Sequence, residues 1–231
     1  MSLSIPASDA IGALTPSQID FLKALPKAEL HAHLNGSIPL PVLQKLAKKY
    51  APSKGDSDLT LSAIQSGVEK LRDGVMLEGI YDFFPLFPAI YALTSTKEAL
   101  AQATDAVLAE FLELKDGDEY PQATYLELRS TPRETITMTR LEYVETVLDE
   151  VEKYRPDQAA LIVSLDRRMS KEVADECVEA VVTLKKRGRR VVGVDLCGHP
   201  TVSSSWTDNS SQCLLLPRLE TWNSLRVTLR P

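Results

Sequence analysis

Cysteine is scarce in this sequence: three in 231 residues, Cys177, Cys197 and Cys213, with no C-x-x-C pair. That number and scatter exclude a disulfide framework and a thiolate zinc site, and fit reduced thiols that take no part in function. Cations are in deficit, 26 Lys and Arg against 32 Asp and Glu. No basic stripe exists to release counterions from a phosphate backbone, which excludes nucleic acid as a partner. Apolar runs stay short of the roughly 18 to 20 residues of a membrane span, so no membrane contact is expected. Met1–Asp20 has neither the basic start nor the apolar stretch of a signal peptide. The expectation is a cytoplasmic protein. What is present, 44% hydrophobic and 25% charged residues without a long charge block, is the composition of one or two globular domains with chain enough to bury a core.

Short apolar strands alternate with amphipathic helices. Strands are expected at Ala28–Asn35, Ala123–Ser130, Ala160–Asp166 and Arg190–Cys197, and the last three begin about 30 to 37 residues apart, the spacing of βα units with parallel pairing. Ser95 with Glu98 predicts a capped helix start ahead of Leu100, Ala103, Val107 and Phe111. Thr139 with Glu142 predicts another ahead of Leu141, Val144, Leu148 and Val151, with Pro156 barring continuation. A third helix is expected from Ser170, with Val173, Cys177, Val181 and Leu184 on one face and a stop at Gly188. Residues 1–20 read as a leader, 21–200 as the α/β body and 201–231 as a divergent, Ser-rich tail. Within the body, 38–93 is a helical insertion rich in aromatics. Its Phe83, Phe87 and Tyr91, at i, i+4 and i+8, suit a buried helix face, and equally a lid whose rings exclude water and stack on a planar base.

Glu29-Leu30-His31-Ala32-His33-Leu34-Asn35-Gly36 holds the strongest chemical signal. Side chains two apart on a strand share a face, so Glu29, His31 and His33 are expected on one side and Leu30, Ala32 and Leu34 on the other, packed on helices. Two imidazoles so placed at the end of a strand chelate one divalent metal, most often zinc.

From Leu25 to Ser37 this stretch resembles the opening motif of the adenosine deaminase family of metal-dependent amidohydrolases. Asn35, Tyr125–Arg133 and Val163–Arg168 are similar to the adenosine deaminase-like branch, which removes the 6-substituent of N6-methyl-AMP, and Val191–Gly198 resembles that branch's fourth-strand motif. The resemblance spans about Phe21 to Thr201. It implies a (β/α)8 TIM-type barrel, of which the first four to five βα units are present, with its site at the strand C-termini. It implies zinc as cofactor, with His31 and His33 as two of its ligands, and a purine nucleotide or nucleoside as small-molecule partner in a monomeric enzyme. The substrate side would comprise His33, Asn35, Tyr91, Arg129, Ser130, Thr131, Pro132, Asp166 and Gly198. A rim salt bridge is the alternative for Arg129 and Asp166. The implied chemistry is hydrolysis, in which zinc lowers the pKa of a bound water, hydroxide attacks C6 and a carboxylic acid protonates the ring nitrogen. The cytidine-deaminase solution is excluded, since neither H-x-E nor P-C-x-x-C occurs.

Departures from the family pattern carry expectations of their own. Tyr91 stands where some members have a substrate-side His, and His199 where most have Asp. Leu225–Pro231 resembles the lead-in to a fifth strand, yet Arg230 stands where the third metal His belongs, and neither the proton-shuttling Glu nor the metal Asp follows. The sequence therefore predicts half a metal site, no catalytic Glu and an inactive chain by itself. Another H-x-H amidohydrolase or phosphoesterase is a second reading, and a non-catalytic chain that at most binds nucleotide is a third.

Overall fold

The computed structural model of the chain describes residues 7–51, 58–74 and 80–198. His199 and the tail with Arg230 therefore lie outside the described residues. Two short helices come first, α1 (Ala7–Gly12) and α2 (Pro16–Ala24). A capping box starts α2: the Thr15 hydroxyl accepts from the Gln18 N–H, and the Gln18 side chain accepts from the Thr15 N–H at 2.9 Å. Much of the expected leader is thus helical. After β1 (Ala28–His33) and one helical turn, α3 (Leu34–Ser37), the insertion supplies α4 (Leu40–Lys49), α5 (Asp58–Asp73), α6 (Ile80–Phe83), a 3-10 turn and α7 (Phe87–Leu93). Then α8 (Lys97–Leu112), β2 (Tyr125–Ser130), α9 (Arg140–Val151), β3 (Ala159–Asp166), α10 (Lys171–Lys186) and β4 (Val191–Cys197) alternate as helix and strand.

The four strands form one sheet in the order β1-β2-β3-β4, every neighbouring pair parallel. Connections that each carry a helix force this pairing, because a tight hairpin cannot join parallel strands. Leu126 and Leu128 of β2 and Leu161 and Val163 of β3 share a core with Leu100, Val107 and Leu108 of α8 and Val144, Val147 and Leu148 of α9. Leu165 packs on Ala174, Cys177 and Val178 of α10 in a second cluster. The insertion belongs to the main core, through Leu43, Ile64, Val68, Ile90 and Leu93.

Helix starts follow the expected signals with one correction. Thr139 and Ser170 cap α9 and α10, and Thr139 completes its box with Glu142. The cap of α8 is Thr96, whose side chain accepts from the Ala99 N–H, whereas the Ser95 hydroxyl donates to the Ala92 carbonyl at 2.8 Å and finishes the preceding helix. Gly188 ends α10 with a positive φ of 77°.

The first strand differs most from its expected form. It ends at His33, so Asn35 and Gly36 sit in α3. A one-residue bulge between Glu29 and Ala32 places Glu29 in register with Leu126 and His33 with Arg129, which breaks the alternation that put Glu29 beside both histidines. Leu30, expected to pack on helices, is 47% exposed, because it lies at the bulge of a strand that has no neighbour on one side among the described residues.

Candidate active site

In a parallel sheet, residues in register share a face. His33, Arg129, Ile162 and Gly193 form one such row, and Ser164 with Asp195 and Asp166 with Cys197 form the next two, toward the strand C-termini. This face points away from the helices and is polar at the carboxyl end of every strand. The imidazoles of His31 and His33 lie on it with ring centroids 5.2 Å apart and planes inclined by 51°. Two imidazoles bound to one tetrahedral ion at about 2.0–2.1 Å per nitrogen have centroids roughly 5 Å apart, so the pair fits a shared zinc. Burial holds the His33 pKa below the ordinary histidine value against the opposing pull of Asp195, which favours the neutral ring a metal needs. Among the described residues, no group of three or more His, Cys, Asp or Glu side chains could hold a metal, so this pair is the local donor set.

Arg129 spans the face. Its guanidinium donates to the Leu30 carbonyl of β1 at 3.0 Å through Nη2 and pairs with the Asp195 carboxylate of β4. Both side chains are more than nine-tenths buried, and Asp195 Oδ1 has no hydrogen-bond partner. Arg129 therefore braces three strands within the sheet, inside the fold and away from its rim. Ser130 faces the other way and shares a 2.9 Å hydrogen bond with the Tyr143 hydroxyl on α9. Thr131 stays on the site face, its hydroxyl 3.6 Å from the Cys197 sulfur, and Pro132 is buried beside it. Asp166 accepts from Arg168 through both carboxylate oxygens, at 2.9 and 2.6 Å. Those bonds, with the Arg168 N–H, keep its pKa below the usual carboxylate range. Gly198 sits over that carboxylate with φ +101°, where a Cβ would come 3.1 Å from Asp166 Oδ1 and 3.3 Å from the Arg167 nitrogen.

The insertion closes one side of the site. Asn35 Nδ2 donates to the Thr94 hydroxyl at 3.4 Å, and Arg133 Nη2 donates to the same oxygen at 3.0 Å. Arg133 lies over the Tyr91 ring, 4.0 Å from its centroid, and its buried Nε has no partner. Burial raises the Tyr91 pKa, while the charges of Arg133, Arg168 and Asp166 all reach it, which brings insertion and strand ends into one locus. Phe83, Phe87 and Tyr91 form a half-buried row with centroids 5.1 and 5.5 Å apart, while Leu86, Ala89, Ile90 and Leu93 carry the buried face. The exposed flank of that row suits a lid. Sequence reasoning gave no role to Thr94 or Asp195. A charged residue inside the apolar run Val191–Leu196 was the available signal for Asp195.

A parallel α/β sheet with its polar groups gathered at the strand carboxyl ends, and two neighbouring imidazoles on its first strand, has the architecture of βα-barrel proteins. Comparison narrows the class: residues 26–211 match the family model described as Adenosine deaminase, and the chain belongs to that family. N6-Methyl-AMP deaminase of Mus musculus is 34% identical over 201 residues, covering 84% of this chain and 51% of the relative. The Homo sapiens protein of that name is 35% identical over 198 residues, covering 82% and 51%. The chain thus spans about half the length of these curated relatives. The apo structure of the Arabidopsis thaliana N6-methyl-AMP deaminase superposes with a TM-score of 0.64 at 28% identity, over 90% of this chain and 58% of that one. Arabidopsis ADAL complexed with GMP gives 0.63 at 30% identity, over 90% and 58%. The four-stranded unit is therefore part of a (β/α)8 barrel.

Proposed function

We propose that this chain supplies the metal-binding and nucleotide-binding strands of a hydrolytic deaminase acting on 6-aminopurine nucleotides of the N6-methyl-AMP type. The observation that carries the reading is the imidazole pair, 5.2 Å apart, at the head of a row of polar strand ends. His31 and His33 would hold zinc, which supplies Lewis acidity toward a water. Asn35 and the Phe83–Tyr91 row close over the bound base, and burial there removes competing water. Asp166, fixed by Arg168, accepts from ribose hydroxyls, and Gly198 admits the base because no Cβ stands between it and Asp166. Thr131 and Arg133 face the 5′-phosphate. Arg129 and Ser130 serve this loop from behind, since their polar groups are engaged within the fold.

A second reading is favoured by the donor set. Two imidazoles fall short of the three protein ligands of a catalytic zinc, so the described residues alone bind nucleotide and do not turn it over. Equilibrium dialysis of IMP and inosine against the chain, with product analysis on N6-methyl-AMP, tests both. Losing a charge-assisted phosphate contact costs about 1.5 to 3 kcal/mol, so Arg133→Met should weaken IMP roughly 10- to 150-fold and leave inosine unchanged. Equal losses for the two ligands would refute the phosphate role. Turnover of N6-methyl-AMP would refute the binding-only reading.

A further inference from the structure

Thr94 closes the last helix of the insertion and is fully buried where three segments of the chain meet. A hydroxyl has one proton and two lone pairs, and here each has a partner. The proton is donated to the Ile90 carbonyl of α7 at 2.9 Å, while the oxygen accepts from Asn35 Nδ2 of α3 at 3.4 Å and from Arg133 Nη2, beyond β2, at 3.0 Å. Because the helix backbone holds the proton, only N–H groups can face this oxygen. Asn35 must therefore turn its amide nitrogen toward Thr94 and its carbonyl oxygen away. The partners of the Arg133 guanidinium among the described residues are this neutral hydroxyl and the rings of Tyr91 and Tyr143, and its buried Nε has none. A cation held in that way keeps its charge for an anion.

We propose that Thr94 is a positioning residue of the nucleotide site, which fixes Asn35 and Arg133 against each other through one oxygen and thereby sets how strongly a 5′-phosphate is preferred. The proposal rests on the reading of Arg133 as a phosphate contact and extends it. Arginine is long and rich in rotamers, and binding an anion costs it that freedom. The bond to Thr94 and the stack on Tyr91 remove the freedom before any ligand arrives. Losing the hydroxyl deletes no group that meets the nucleotide, yet it releases the guanidinium on which the phosphate depends. The effect therefore falls on IMP more than on inosine, which has no phosphate. A purely structural role for Thr94 would weaken both ligands alike.

Equilibrium dialysis of IMP and inosine against the full chain and against Thr94→Val, Thr94→Ser, Arg133→Met and the double variant Thr94→Val with Arg133→Met tests the proposal. The readout is the ratio of the two dissociation constants, which a general loss of folded protein does not move. Valine keeps the shape of threonine without its hydroxyl. Thr94→Val should lower the preference for IMP about tenfold, and Thr94→Ser, which restores the oxygen, should return it to within about twofold of the parent. In the Arg133→Met background, adding Thr94→Val should leave the ratio unaltered, since the cation it positions is gone. That double variant leaves no guanidinium N–H unpaired, so it reports even where Thr94→Val alone loses the circular dichroism of the parent. An unchanged preference in folded Thr94→Val, with the preference lost in Arg133→Met, overturns the proposal and leaves the phosphate reading intact. Failure of Thr94→Ser to recover, or a further loss of preference in the double variant, overturns it as well. If Arg133→Met keeps the parent's preference, the phosphate reading itself fails and the proposal falls with it.

Discussion

Arg129 shows how one side chain can set the geometry of a site without touching a ligand. Its bonds to the Leu30 carbonyl and to Asp195 tie the first, second and fourth strands together, and the space between β2 and β4 is spanned over β3. Removing one partner of a buried pair leaves an unpaired charge in low dielectric, so Arg129→Met should cost about 3–5 kcal/mol in urea denaturation. Arg129→Met combined with Asp195→Leu should recover most of that loss, because replacing both partners by apolar groups is often neutral. If the double variant is no more stable than the single one, the brace is not an ion pair in energetic terms. Gly198→Ala meets both a left-handed backbone and the Asp166 carboxylate at 3.1 Å. About 1–3 kcal/mol of strain is expected, read as lost protection in amide exchange at the β4 terminus.

At the scale of elements, side-chain caps fix the starts of α2, α8, α9 and α10, and one of these caps also joins two helices. Glu142 closes the capping box of α9 and accepts from Lys97 at the start of α8, at 2.6 Å. The Lys97 hydrogen bond and the two bonds from Thr139 lower its pKa from 4.5 to about 2. A carboxylate with a depressed folded pKa stabilises the fold fully above its unfolded value, and that contribution is lost as pH falls through about 2. Glu142→Gln should therefore lower Tm at neutral pH, with the difference from the parent closing as the solution is acidified through that window. A pH-independent difference would show that the carboxylate charge is not what matters. Thr139→Ala should cost about 1 kcal/mol at neutral pH through the lost cap alone.

At the scale of the molecule, the site is assembled from segments far apart in sequence, as the contacts of Arg129 with Asp195 and of Arg133 with Thr94 show. Among the described residues no helix is long and apolar enough to cross a membrane. Joining residues 1–200 to the fifth-to-eighth strand half of a relative should give a barrel that deaminates N6-methyl-AMP in preference to adenosine, by roughly 10- to 150-fold in kcat/KM if one phosphate contact decides. Equal kcat/KM for the two would place the assembled barrel with nucleoside deaminases.

Much was legible in the sequence because it is local. Strand spacing, the capping box at Thr139, the helix start at Ser170, the glycine stop at 188 and the H-x-H pair follow from periodicity, capping chemistry and side-chain type, while the family was legible only through the resemblance of the Leu25–Ser37, Tyr125–Arg133, Val163–Arg168 and Val191–Gly198 motifs. Tertiary structure decided the rest. No local rule places a bulge between Glu29 and Ala32, because its register is set by pairing with β2; that bulge ended the alternation and left Leu30 exposed. No local rule shows that Arg129 turns inward to Asp195, 66 residues away, while Ser130 turns to a helix and Arg133 stacks on Tyr91. Sequence chose the residue types at the strand ends, and packing across the sheet determined which of them face a ligand and which hold the face in place.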